Sequence, residues 1–311
     1  MYSFSRICST VLVILGGGLA SSAMAQSIHS GAATGSYAQD FCPQVERSLA
    51  EQYFEHKCVT SQGSGDNAAK VLANPVDVGL GQFDVVAVIA EENPGRLAFV
   101  DPGMGLECLY AVTSDPNITS LRGLPPRMPV ALPPEASGSS ATFRYLQTLD
   151  ESLERMRSIN YYPSAMDAVQ AVAKREAGLA FFVQFPNTEN PVFQAINEAN
   201  LRFIPVVNRQ ILRREVGGVQ VYQPREVTVT PSSLLGRLSG RSGQSVVTSC
   251  TPVVLFTGDP QFFPEGSEQR QDQLDVLAQL QKTAPPTRSD WVGILRNAVT
   301  VSRERIESLI Q

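Results

Sequence analysis

The stretch Ser27 to Tyr37, SIHSGAATGSY, reads as a short strand that passes through a small-residue loop straight into an amphipathic helix. Gly31, Ala32, Ala33 and Gly35 carry almost no side chain, so a ligand can approach the backbone N–H groups at the start of that helix. There the helix dipole favours an anion. The spacing is G-x-x-x-G-S, which is neither the dinucleotide G-x-G-x-x-G nor a P-loop ending in Lys-Ser/Thr. Nucleotide binding therefore loses its main support. Glycine at a strand-to-helix turn also serves simply to turn, so the reading has to be carried by the rest of the chain.

The same logic recurs downstream, and it predicts an α/β fold. Helix 1 is expected over Ser36 to Phe54, with Phe41, Val45, Leu49 and Tyr53 at near-helical spacing. A strand follows at Lys57 to Ser61, then a polar turn at Gly63 to Asn67, a short helix through Leu72, and a strand at Val76 to Leu80 that delivers Gly81 to Asp84 at its carboxyl end. Leu97 to Val100 and Leu106 to Thr113 are strands, and Asp115-Pro116-Asn117 with Pro125-Pro126 fit a connection to a second unit. That unit reads as strand Met128 to Leu132, polar loop Glu135 to Thr142, helix to Met156, strand Ile159 to Tyr162, and helix Ser164 to Ala177, whose S-A-M-D start resembles a capping pattern. Strand Leu179 to Val183, helix Val192 to Ala199 and strand Leu201 to Val206 complete it. Ser232 to Ser245 reads as an exposed loop, and Val246 to Phe256 as a strand that Pro252 demotes to an edge or bulge. Helices are expected at Glu268 to Lys282 and Ser289 to Ile310. Ligands of open parallel sheets bind at the carboxyl ends of strands, where these polar turns lie.

At the other end, Arg6, the apolar run Val11 to Leu19 and Ala23-Met24-Ala25 have the layout of a secretory signal peptide cleaved after Ala25. The apolar run is too short to span a bilayer, so a periplasmic, soluble protein is expected. Removing Arg6 takes the net charge from −5 to −6, which argues against nucleic acid as a partner. Of the five cysteines, Cys42, Cys58, Cys108 and Cys250 remain after cleavage. An even number in an oxidising compartment suggests two disulfides rather than free buried thiols. Helix 1 and the strand after it should lie side by side, which would join Cys42 to Cys58.

Taken in order, GAATGSYAQDFCPQVERSLAE (from Gly31), TSQGSGDNAAKVLANPVDVGLGQFDV (from Thr60), ALPPEASGSSATFRYL (from Ala131), YPSAMDAVQAVAKREAGLAFFVQFPN (from Tyr162) and SVVTSCTPVVLF (from Ser245) resemble the TAXI family of TRAP-transporter receptors. That family belongs to the type II periplasmic solute-binding proteins. The resemblance implies a two-domain α/β fold with a ligand cleft between the domains. Domain 1 would comprise 26–114 with 246–311 and domain 2 would comprise 115–245, with crossings near Thr113 to Pro116 and Ser245 to Val247. It implies that Ser30, Gly31, Thr34, Gly35, Ser36, Tyr37 and Gln82 face Ser137, Ser139, Ser140, Thr142, Gln184 and Phe185 across the cleft. It also makes the strands of Cys108 and Cys250 neighbours, hence bridged. The implied ligand is a small carboxylate-bearing anion, an organic acid or an acidic amino acid, and the implied partners are the membrane subunits of a TRAP-type transporter. A monomer without cofactor is expected.

Catalysis finds little support. There is no G-x-S-x-G elbow, no H-E-x-x-H and no EF-hand pattern, so neither catalytic nor metal residues are assigned and an enzyme is not expected. The two histidines are His29, beside the first loop with a strand-end role, and His56, at a helix end where its charge would suit the dipole. Asp66 and Asp84 could receive an ammonium group, although helix capping is their ordinary use. Asp259, Glu265 and Glu268 read as a solvated acidic loop. A transport receptor, a periplasmic sensor or scavenger module, and an exported enzyme on the same fold are the three function classes carried forward.

Overall fold

The structure is a computed structural model that describes residues 26–230, 244–285 and 298–310; the expected leader and its cleavage point after Ala25 lie outside them, as does most of the 232–245 loop. Among the described residues no helix is long and apolar enough to cross a membrane.

The first half is a parallel trio in the order β2-β1-β3, made of β1 (Gln26–His29), β2 (His56–Val59) and β3 (Val78–Gln82). Its helices are α1 (Cys42–Ala50), entered through one π-helical turn at Tyr37–Phe41, α2 (Ser64–Ala73) and α3 (Phe83–Glu92). Phe41, Val45 and Leu49 recur on one helical face and are fully buried against Ile28, Val78 and Leu80. Burial of such side chains, each worth about 1.5–3 kcal/mol, fixes the helix on the sheet. Helix 1 ends earlier than the expected Phe54, because Tyr53 adopts a left-handed φ of 63° that no helix continues.

β4 (Leu97–Val100) and β5 (Leu106–Thr113) lead to the second half. There β6 (Val130–Leu132), β7 (Ile159–Tyr161) and β8 (Leu179–Gln184) form another parallel trio, in the order β8-β6-β7. Helices α4 (Gly138–Leu149), α5 (Glu151–Glu154), α6 (Ala165–Ala173) and α7 (Pro191–Glu198) connect and cover these strands. Ser164 caps α6 by accepting the Asp167 N–H, as the S-A-M-D start predicts. β9 (Arg202–Ile204) pairs with β5. After α8 (Arg209–Leu212) comes a tight hairpin of β10 (Glu215–Val216) and β11 (Val219–Gln220), whose Gly217 and Gly218 have φ of 58° and 80°. β12 (Gln223–Thr228) precedes the long strand β13 (Ser245–Gly258), and α9 (Glu268–Gln281), β14 (Ala298–Thr300) and α10 (Arg303–Ile310) follow.

β13 belongs to both halves. It runs antiparallel to β12 up to Cys250 and to β5 from Cys250 to Pro252, then to β3 from Val253 and β4 from Leu255. Pro252 therefore sits where β12 has ended and β3 has not begun, so its missing N–H costs no ladder bond on that side. Two parallel trios joined through the antiparallel strands β13, which pairs with β3, and β5, which pairs with β13 and β8, make this an α/β fold of the type II periplasmic-binding-protein kind. Pairing partners change between β4 and β5, at 101–105, and within β13 near Pro252; the expected crossing at Thr113–Pro116 lies after the first of these changes and that at Ser245–Val247 before the second. β14 pairs with β12, in a stretch expected to be helical.

Two disulfides staple this frame, Cys42 to Cys58 between α1 and β2, and Cys108 to Cys250 between facing positions of β5 and β13.

Candidate functional site

The carboxyl ends of β1, β3 and β8 and the start of α4 converge on a cleft of about 240 Å³ between the halves. The first half supplies Gly31, Ala32, Gly35, Ser36 and Tyr37 from the loop after β1, Gln62, Gly63 and Ser64 from the start of α2, and Gln82 from the end of β3. Ser137, Gly138 and Ser139 at the start of α4, with Val183, Gln184 and Phe185 at the end of β8, face them. Glu107 of β5 lies between the two sets.

Local chemistry explains why these groups point inward. Asn67 donates its amide to the carbonyls of Ser30 (2.9 Å) and Leu80 (2.7 Å), tying the first loop to α2 and β3. Ser64 accepts the Gln82 N–H at 3.1 Å, which joins the second and third loops. Across the cleft Ser137 caps α4 by accepting the Ser140 N–H, so the N–H groups of the first turn face the opening. Ser139 Oγ accepts the Val183 N–H at 2.9 Å and holds α4 to the end of β8. Gly63, at φ 119°, and Gly138 let the two halves touch, since a Cβ on Gly63 would stand 3.2 Å from the Gly138 nitrogen.

Of the expected contact residues, Gly31, Gly35, Ser36, Tyr37, Gln82, Ser137, Ser139, Gln184 and Phe185 line the cleft. Ser30, Thr34, Ser140 and Thr142 do not. Ser30 is buried with its hydroxyl donated to Val59 O, Thr34 is exposed, and Ser140 is buried with its hydroxyl donated to Pro133 O. Thr142 lies a full helical turn into α4, because the helix begins at Gly138 and absorbs half of the expected polar loop. His29 contacts Asp77 Oδ2 at 2.9 Å, away from the lining residues. His56 is the buried first residue of β2 rather than a helix end, and burial holds its pKa below the ordinary histidine value. Asp66 accepts the Gln62 N–H and pairs with Lys70.

Glu107 is the residue that sequence reasoning passed over. Tyr37 Oη donates to its Oε2 at 2.7 Å, yet burial pushes its pKa up to about 7. Among the described residues no Lys, Arg or His lines the cleft to offset it. The available signal was one charge in an otherwise uncharged strand, LECLYAVT. Behind the cleft a second carboxylate, Asp84, is completely buried, accepts hydrogen bonds from Thr142 Oγ1 (2.6 Å) and Tyr222 Oη (2.9 Å), and is raised to about 6 by that burial. Among the described residues no group of three or more His, Cys, Asp or Glu could hold a metal ion.

No protein-family model and no curated protein sequence matches this chain. Among solved structures it is similar to the GluR0 ligand-binding core in complex with L-glutamate, at 11% identity over 93% of this chain and 100% of that one, TM-score 0.46. It is also similar to XAC2383 from Xanthomonas citri bound to ATP, at 10% identity over 92% and 99%, TM-score 0.47. The substrate-binding protein of an amino acid ABC transporter is similar at 9% identity over 83% and 91%, TM-score 0.44. The strand order and the position of the cleft define the fold, an α/β frame of the periplasmic-binding-protein kind with the cleft between its two parallel trios.

Proposed function

We propose that this chain is an extracytoplasmic solute-binding receptor that captures a small carboxylate-bearing molecule and delivers it to the membrane subunits of a TRAP-type transporter. The observation that carries the binding role is the cleft itself, flanked by the start of α4 on one side and the Gly35–Tyr37 turn on the other. N–H groups from two helix starts hold a carboxylate without a protein cation. The two disulfides fit an oxidising compartment. The order of the TAXI-like motifs supports the transporter partnership. Recognition is by hydroxyls, amides and backbone donors, and the chain is a binder rather than an enzyme: the ligand should be returned unchanged.

Native mass spectrometry of the freshly purified protein should show a co-purified small acid. Titration calorimetry with that acid should then show Ser36→Asp and Ser139→Asp weakening binding on the order of a hundredfold, because each puts a like charge beside the anion. Wild-type affinity in both variants would remove the ligand from these helix starts.

A further inference from the structure

Two side-chain acceptors, Gln82 Oε1 and the Glu107 carboxylate, stand together in the lining of the cleft. Gln82 is only 3% exposed, lines the cleft, and its Oε1 has no hydrogen-bond partner among the described residues. Beside it stands Glu107, the sole carboxylate among the described lining residues, which receives the Tyr37 hydroxyl and the Gln82 side-chain amide and keeps further lone pairs free. A buried acceptor without a donor is costly, and so is a desolvated carboxylate without a cation. The upward displacement of Glu107 toward neutrality is the same strain seen in its protonation. One group on a ligand relieves both, and that group is a positively charged N–H donor.

We propose that the ligand carries a protonated amine seated between Glu107 and Gln82, and that it has no second carboxylate. This rests on the receptor reading above and narrows it: the partner of the α4 start is a carboxylate, and the other pole of the ligand is an ammonium group. A dianion such as a dicarboxylic acid would place its second charge beside Glu107, with no Lys or Arg among the described lining residues to separate them. Like charges a few ångström apart in a desolvated cleft repel strongly. The selected class is therefore a small, net-neutral amino acid, with Glu107 as the residue that sets specificity.

The test uses the mature chain, freed of endogenous ligand by mild denaturation and refolding, and three probe sets at equal concentration. The first contains neutral α-amino acids with ω-amino acids from β-alanine to 5-aminopentanoate. The second contains the matched monocarboxylates, and the third succinate and glutarate. Wild type is expected to retain a member of the first set at least thirtyfold more tightly than its amine-free counterpart, and Glu107→Gln to lose that preference. Gln82→Met, which deletes the acceptor and keeps the shape, should weaken the amine tenfold and leave monocarboxylates unchanged. Equal or tighter binding of the acids by wild type, or an undiminished preference for the amine in a folded Glu107→Gln protein, overturns the ammonium assignment and leaves the receptor reading standing. Binding of none of the three sets overturns both.

Discussion

At the scale of single residues, the pKa values of Glu107 and Asp84 make stability a function of pH even in the empty protein. Glu107 rises from an ordinary carboxylate value to about 7 on folding. The folded state therefore holds a proton that the unfolded chain releases, and the stabilisation is complete below about pH 4.5. It is lost as pH rises through about 7. Glu107→Gln should remove this slope. Without ligand, and at pH 8, the variant should unfold at higher urea concentration than wild type, a gain of about 1 kcal/mol once water at the cleft mouth screens part of the charge. At pH 4.5 the two proteins should be equally stable. A wild-type protein no less stable at pH 8 than at pH 4.5, relative to the variant, would show that Glu107 is not desolvated. The residue scale is also where the sequence was hardest to read: Ser30, Ser140 and Thr142 are hydroxyls in the right stretch, but their rotamers turn them toward carbonyls or Asp84 instead of the cleft.

At the scale of elements, the informative departures are α3 and the start of α4. Phe83–Glu92 begins with FDVVAVIA, a Val-rich apolar run that by itself fits a strand as well as a helix. Tertiary context makes it helical, with Phe83, Val86 and Ala87 buried in one cluster with Phe143 and Leu146 of α4 and Tyr222 beyond it. The two halves thus meet through α3 and α4, and Gly138 sets how closely. A Cβ there would overlap the Gln82 side chain and stand 3.0 Å from Ser64 Oγ. Gly138→Ala should hold the halves apart, weaken ligand binding by tenfold or more, and leave the unliganded protein folded with unchanged circular dichroism. Unaltered affinity in this variant would mean that the approach of α4 to β3 is not part of the bound state.

At the scale of the whole molecule, the contacts between halves form a latch beside the cleft. Asp84 on α3 receives hydrogen bonds from Thr142 on α4 and from Tyr222, and Arg214 joins Glu91 on α3 to Tyr145 on α4. The change of pairing partners at 101–105, where Gly103 and Gly105 have φ of 79° and 127°, and at Pro252 marks the hinge we propose. Opening would return Asp84 to water, so its raised pKa favours the latched form when protonated. That contribution is full below about pH 4 and lost as pH rises through about 6. Small-angle scattering of the unliganded chain should give a larger radius of gyration at pH 7 than at pH 4.5. In Asp84→Asn the part of this change between pH 4.5 and 6 should vanish. A radius independent of pH and of saturating ligand would rule out a hinge.

The sequence by itself determined the α/β class, because alternating strand and helix periods with polar turns between them leave few other ways to bury the apolar faces. It also brought the loop after β1 and the start of α4 into view as separate candidates, since glycines and hydroxyls at strand-to-helix junctions advertise themselves locally, while their pairing across one cleft was implied by the resemblance to the TAXI family. What only the tertiary structure decided was which of those hydroxyls face the cleft, where β13 changes partners, and the approach of Glu107 and Asp84 to the space between the halves. The reason is physical. Periodicity records which face of an element is apolar, whereas the direction of a polar side chain and the pKa of a carboxylate depend on what packs around them from distant parts of the chain. Glu107 is one charge on a strand until Gln82, Tyr37 and the start of α4 close over it.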